Sequence, residues 1–385
     1  MSQSAGIDER LPRLDGLTGL RWWAAFVVFG FHMGVLAPLP WPVSAVFAQG
    51  YYGVTFFFVL SGFVLTWSLT SRVSKSTFYW RRFARIYPLH LVALLLAIPV
   101  FYNLGLGNDA PWTRDPDLGV LSLSLVLLQG WFLAPAVLFS GNPAAWTLSC
   151  EAFFYALHPY VSRVLSPRAI RGSLLIAGGV IAVMFVVRVL AVALPESVFA
   201  VIPLPLLRLP EFVLGMAIAW AVRCGWRPRV PVWVGIGALA LAIGGVIALP
   251  VLLAGRPILA VIMPFSNEVV AVMCAVTILS VATRAMAGSA TVFGSRLQVR
   301  LGEWSFAFYL VHATLIYTVL TFVGYQEPSW RNLVWFGSLL LASLALAALL
   351  HHGVEKPLER RMRAWKDARD ARGLAVPVDP VLPKD

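Results

Sequence analysis

Residues 17–38 read LTGLRWWAAFVVFGFHMGVLAP. The run is long and apolar enough to cross a bilayer, for which about 20 residues suffice. Yet it carries an arginine, Arg21, and a histidine, His32. Eleven positions apart, the two lie almost three full helical turns from each other, on one face, separated by roughly 16 Å of rise. Ionisable side chains inside a span are costly and point into protein-lined cavities or substrate paths. One helix face thus offers a fixed cation near one membrane surface and a titratable nitrogen well inside. The plainer alternative has Arg21 snorkelling to the headgroups and His32 packing as a satisfied core residue.

Outward from this stretch, composition sets the class. Of 385 residues, 59% are hydrophobic and 12% charged, and the mean hydropathy is +0.79. These values describe an integral membrane protein rather than a soluble domain. Residues 1–15 are polar, and the first apolar run is too long for the h-region of a cleavable signal peptide. The net charge of +12 does not mark a nucleic-acid surface. The basic residues gather in short loops between spans, where they report topology. Cys150, Cys224 and Cys274 lie in or beside apolar segments without metal-type spacing, so neither a disulfide framework nor a metal site is indicated.

The fold expected is all-α: a polytopic membrane helix bundle in the lipid bilayer, multi-pass in a bacterial-type cytoplasmic membrane. Spans are expected at 17–38, 51–69, 86–104, 144–164, 172–194, 200–222, 231–253, 258–283, 303–323 and 332–352. The basic loop with Arg72, Lys75, Arg81, Arg82 and Arg85 reads as cytoplasmic, and the acidic loop 105–117 as outward. If 118–140 were also a full span, every later basic loop would face outward. That segment is therefore expected to be re-entrant or interfacial, bordering a cavity. Ten crossings with both termini cytoplasmic follow, eleven being the alternative. Residues 1–15 form a cytoplasmic segment, 16–354 the membrane domain, 355–374 a cytoplasmic amphipathic helix and 375–385 a disordered tail.

Five collinear blocks resemble those of the acyltransferase-3 family, integral membrane O-acyltransferases that modify sugars, polysaccharides and macrolides. Arg21 and His32 match an arginine and a histidine with ten residues between them. GVTFFFVLSGF spans 53–63, RRFARIYP 81–88, LGEWSFAFYLVH 301–312 and VEKP 354–357. The resemblance runs from residue 14 to about 360. Two departures stand out: Thr55 replaces the usual aspartate of the second block. In WTLSCEAFFY, the second acid of a glutamate pair is Ala152, leaving Glu151.

The resemblance implies an acyl group, most often acetyl, moved from cytoplasmic acyl-CoA to a hydroxyl of a carbohydrate or macrolide-like acceptor. No cofactor is held permanently; acetyl-CoA would be a substrate. Such transfer needs a base for the alcohol proton, and the resemblance assigns that role to His32, a histidine's unperturbed pKa lying near neutrality. Arg21 would hold an anionic part of the donor, the 16 Å or so to His32 suiting a pantetheine arm. Arg81, Arg82 and Arg85, neighbours on a helix, carry forked guanidinium groups suited to the donor's phosphates; the alternative is a topology signal touching lipid. Glu151 is expected to orient His32 or accept a proton. Ser61, Arg208, Glu211, Tyr309 and His312 are read as lining the substrate cavity, with an Arg208–Glu211 salt bridge standing equally well as structure. His90, His158, His351 and His352 read as interfacial. A reading from another class keeps the same residues as an Arg/His/Glu relay in a secondary transporter.

Overall fold

The computed structural model describes residues 11–70, 73–105, 110–165 and 169–374. The expected disordered tail and most of the N-terminal segment lie outside these. Among the described residues the chain is helical, with one isolated backbone bridge between Tyr102 and Arg114. A bilayer demands this outcome, because hydrocarbon offers no partner to an open backbone N–H or C=O.

Among the described residues, eight helical runs are long and apolar enough to cross a membrane. They comprise α1 (Asp15–Leu36), α3 (Lys75–Phe101), α5 (Ile170–Ala193), α6 (Leu204–Arg223), α7 (Val232–Leu252), α8 (Ile258–Met286), α9 (Arg296–Val323) and the run Trp330–Ala371, which contains α10 (Leu333–Leu350). Two further helices occupy the remaining expected spans. One is the shorter apolar α2 (Tyr52–Trp67); the other is α4 (Trp146–Val164), whose polar Glu151, His158 and Arg163 lower its hydropathy.

The helix α3 begins eleven residues before the expected span. Ser74 caps it, its hydroxyl accepting from the Thr77 amide at 3.1 Å. Arg81, Arg82 and Arg85 therefore stand on one helix, as their spacing of three and four predicts, and the helix reaches back through the basic segment to Lys75. The cap and the absence of glycine favour that longer helix.

Residues 118–145 do not form a crossing. They break into Leu118–Leu125, Pro135–Leu138 and two single turns at Gln129–Trp131 and Pro143–Ala145. Eight residues reach about 12 Å, far short of the ~30 Å hydrocarbon core. The segment is tied to the bundle by buried polar groups. His90 Nε2 lies 3.0 Å from the Ser124 carbonyl, and Asn142 Nδ2 donates to the Leu310 carbonyl at 2.8 Å.

Close helix contact is built on small residues. An ideal Cβ on Gly62 of α2 would sit 1.9 Å from the Phe212 carbonyl oxygen, and one on Gly215 of α6 would sit 1.9 Å from that of Val59. Only glycine at both positions lets these backbones approach so closely.

One end of the bundle gathers the basic segments. Arg13 pairs with Glu303 at 2.9 Å, Trp67 Nε1 donates to the Pro12 carbonyl at 3.0 Å, and Arg223 caps the carbonyls of Thr66, Trp67 and Leu69. The opposite end joins the Gln326 amide to the Leu36 carbonyl at 2.8 Å and Asn332 Nδ2 to that of Pro38 at 2.8 Å. After α10 the helix widens into one π-turn, His351–Glu355, and continues as α11 (Lys356–Leu374). Here α11 docks on the start of α3: Trp80 Nε1 donates to the Met362 carbonyl at 2.7 Å, Thr77 to Asp370 at 2.8 Å, and Arg81 pairs with Asp367 at 3.2 Å. Hydrogen bonds from Lys366 and Thr77 hold the Asp370 carboxyl below the usual aspartate range.

Candidate active site

The helices α1 and α9 pack lengthwise and bring His32 against His312. His32 Nδ1 lies 3.0 Å from the Val28 carbonyl and 3.2 Å from His312 Nε2. His312 Nδ1 lies 3.1 Å from the Phe308 carbonyl. These partners dictate the tautomers of the neutral pair. A carbonyl only accepts, so His312 carries its proton on Nδ1 and offers a lone pair at Nε2. His32 Nδ1 then faces two acceptors and must carry the proton itself. The bare lone pair of His32 is left on Nε2. His312 is wholly buried and stacked on Phe308 (5.7 Å, 11°), which fixes its ring; His32 is half-buried.

Below this pair, Arg21, Thr147, Glu151, Ser305 and Tyr309 line a cavity of about 40 Å³, room for a single water. Glu151 accepts from the Tyr155 hydroxyl at 3.2 Å, and that hydroxyl lies 3.5 Å from Ser61 Oγ. Glu151 thus shares the cavity with Arg21, and the neighbour that orients His32 is His312 instead. The hydrogen bond of Glu151 goes to Tyr155, and none joins it to His32 among the described residues. Tyr309 lies between the two groups: it lines the cavity, and its ring centroid is 5.9 Å from that of His312.

Arg21 also opens onto a chamber of about 510 Å³ at the basic end, where Arg85, His351 and Lys356 join it. Arg85 is ion-paired to the buried Glu355 and lies 3.5 Å from Glu359. Arg81 and Arg82 face a second recess of about 130 Å³ with Lys75 and His158, and Ser68 borders both spaces. The guanidinium of Arg82 sits over the rings of Phe78 (5.9 Å) and Tyr155 (6.0 Å), and its Nε is buried without a hydrogen-bond partner. The three arginines of one short motif therefore serve two adjoining spaces.

The expected Arg208–Glu211 pair forms at 2.6 Å. Asn267 bridges it, accepting from Arg208 at 2.6 Å and donating to Glu211 at 2.8 Å, and Thr55 donates to Asn267 at 2.9 Å. The hydroxyl standing in place of an aspartate is thus absorbed into a network across α2, α6 and α8. Three histidines expected at the interface are buried instead. His90 is held by Ser124 as described, His158 stacks on Phe78 (5.3 Å, 12°), and His351 Nδ1 lies 3.0 Å from Glu355. Each sits near a span end in sequence, but neighbouring elements cover it: the 118–145 segment over His90, Thr66, Phe78 and Phe212 around His158, and the π-turn carboxylate Glu355 beside His351.

Comparison with known proteins agrees with this layout. The acyltransferase-3 family model, described as an acyltransferase domain, matches residues 14–352. The chain is 33% identical to acyltransferase MdmB of Streptomyces mycarofaciens, covering 97% of this chain and 98% of that protein. It is 28% identical to the exopolysaccharide production protein ExoZ of Rhizobium meliloti, covering 86% and 96% respectively. No solved structure matches. With helices in the ten expected places and the family model matched across nearly the whole sequence, the chain belongs to the acyltransferase-3 family and is a membrane O-acyltransferase.

Proposed function

We propose that the enzyme transfers an acyl group, acetyl in the first instance, from cytoplasmic acyl-CoA to a hydroxyl of a carbohydrate or macrolide-like acceptor, with His32 as general base. The observation that carries this reading is the His32–His312 pair, whose hydrogen bonds leave a lone pair on His32 Nε2. In the reaction, Nε2 takes the hydroxyl proton as the oxygen attacks the thioester carbonyl. The tetrahedral intermediate collapses, the C–S bond breaks, and the departing thiolate recovers the proton from His32. The products are an ester and CoA thiol. While His32 is charged, its Nδ1–H stays directed at the Val28 carbonyl and the His312 lone pair, so the ring keeps its orientation through the proton transfer.

The donor would enter through the chamber at the basic end. Arg81, Arg82 and Arg85 would hold its nucleotide phosphates from the two adjoining recesses. Arg21, shared by the chamber and the small cavity, would guide the arm upward, and Glu151 would oppose its charge. Ser61, Tyr309 and His312 line the inner path; Arg208 and Glu211 act through the α2–α6 framework. Acceptor class is supported by the kinship with a protein named for exopolysaccharide production. Both termini and the basic end are cytoplasmic in this reading. Proteoliposomes carrying the protein, radiolabelled acetyl-CoA and an oligosaccharide or macrolide acceptor test it. Labelled ester is expected; solute uptake without any ester would replace the enzyme with a transporter.

A further inference from the structure

The chamber of about 510 Å³ is walled by the start of α1, the end of α2, Arg85 of α3, Gly302 and Glu303 of α9, and the junction of α10 with α11. Four fixed cations face it, and they are not equivalent. Arg13 is taken up by Asp15 (2.8 Å) and Glu303 (2.9 Å), and Arg85 by Glu355 and Glu359. Arg21 and Lys356 form no ion pair or hydrogen bond among the described residues, their charges being felt by Glu151 and Glu303 only from farther off, and both are half-buried. Two cations without an ion-paired carboxylate, converging on one half-enclosed space from opposite ends of the chain, make a site for a polyanion. A guanidinium fork beside a compact ammonium suits phosphate oxygens.

The local backbone explains how Lys356 comes to face this space. The π-turn His351–Glu355 puts one extra residue into the helix. At 3.6 residues per turn, one residue rotates everything downstream by roughly 100°. With that rotation Glu355 turns inward, where it pairs with Arg85 and lies 3.0 Å from His351, and Lys356 lines the chamber. Wide turns of this kind recur at functional sites.

We propose that Lys356 is a donor-binding residue: with Arg21 it holds phosphate groups of the thioester donor at the mouth of the path to His32, and Glu355 is the positioning residue that aims Arg85 beside them. This rests on acyl-CoA being the donor. The order along the path is consistent in length, since Arg21 borders both the chamber and the inner cavity, and His32 stands roughly 16 Å farther along α1.

The test is calorimetric binding of CoA to the detergent-solubilised full chain. Lys356→Ala and Lys356→Gln should each weaken CoA binding about tenfold, the scale of one charge-assisted contact. Lys356→Arg should stay within about threefold of the wild type, and the salt dependence of binding should flatten in the neutral variants. With a phosphate-free donor, S-acetyl-N-acetylcysteamine, the Lys356→Ala penalty in kcat/KM should be much smaller than with acetyl-CoA. Unchanged CoA affinity in a folded Lys356→Ala, an equal loss in Lys356→Arg, or equal penalties with both donors would each overturn the proposal. Absence of CoA binding by the wild type would overturn it too. In that event, His32-dependent transfer from the phosphate-free donor would still decide the role of the base on its own.

Discussion

His312 Nε2 lies 3.2 Å from His32 Nδ1, and His312 cannot donate there because its own proton is directed at the Phe308 carbonyl. The second histidine is therefore a positioning residue that selects the tautomer of the first. His312→Ala should lower kcat by about ten- to a hundredfold, within the usual contribution of general base catalysis. KM for the donor should change little. His312→Gln should restore part of the rate, since its carbonyl oxygen can accept from Nδ1–H. Steady-state kinetics decide this, and a fully active His312→Ala would remove the positioning role.

The Arg85–Glu355 pair makes a stability prediction. Glu355 is 1% exposed, so Arg85→Ala leaves a buried carboxylate whose remaining partner among the described residues is His351. Losing one partner of a buried ion pair costs about 3–5 kcal/mol. Adding Glu355→Gln removes the stranded charge, so the double variant should melt above Arg85→Ala alone. Thermal unfolding in detergent would show this as non-additivity, and strictly additive losses would mean the pair is not coupled.

Docking of α11 should depend on pH in a defined direction. The folded-state carboxyl of Asp370 is depressed by hydrogen bonds from Lys366 and Thr77. A depressed carboxyl contributes stability above its unfolded value, near 4, and that contribution is lost as the pH falls through the folded value. Trp80 and Trp365, with ring centroids 5.0 Å apart across this contact, report it. Their fluorescence should hold steady from pH 7 to about 5 and change below about 4. Asp370→Asn should abolish that acid transition, and a transition unaltered by the substitution would assign it to another group.

Topology is open to labelling once Cys150, Cys224 and Cys274 are replaced. A single cysteine at Ser295, beside the basic end, should escape an impermeant thiol reagent added outside intact cells. One at Ser329, in the connection between α9 and α10 at the other end, should react. The positive-inside distribution motivates this orientation; the reverse labelling pattern would invert it.

Much of this architecture is legible in residue order because hydrophobic run length is a local property. The Arg21–His32 spacing likewise needs only the helical repeat to place both on one face. Other features depend on contacts between distant residues. His312 follows His32 by 280 positions, and no local signal marks their hydrogen bond. Glu151 sits in a family block, yet its height on α4 relative to Arg21 depends on how 118–145 folds beneath it. The spacing of the arginines in RRFARIYP places them on a helix, whereas the eleven residues by which α3 precedes the expected span show only in the Ser74 cap. The acidic side of α11, legible as amphipathic, could not reveal that its partners are Arg81 and Arg85 of α3.

In the proposed reaction, His32 Nε2 removes the acceptor's proton. The measurement that bears on it most directly is transfer of radiolabelled acetyl from acetyl-CoA in proteoliposomes, comparing wild type, His32→Ala and His32→Gln across pH. Wild-type turnover should fall as the pH drops, because a protonated Nε2 has no lone pair to offer. Both variants should insert normally and lose at least about a hundredfold in rate, Gln failing to rescue because it cannot carry the proton. Near-wild-type transfer by a well-expressed His32→Ala, or full rescue by His32→Gln, would contradict the account.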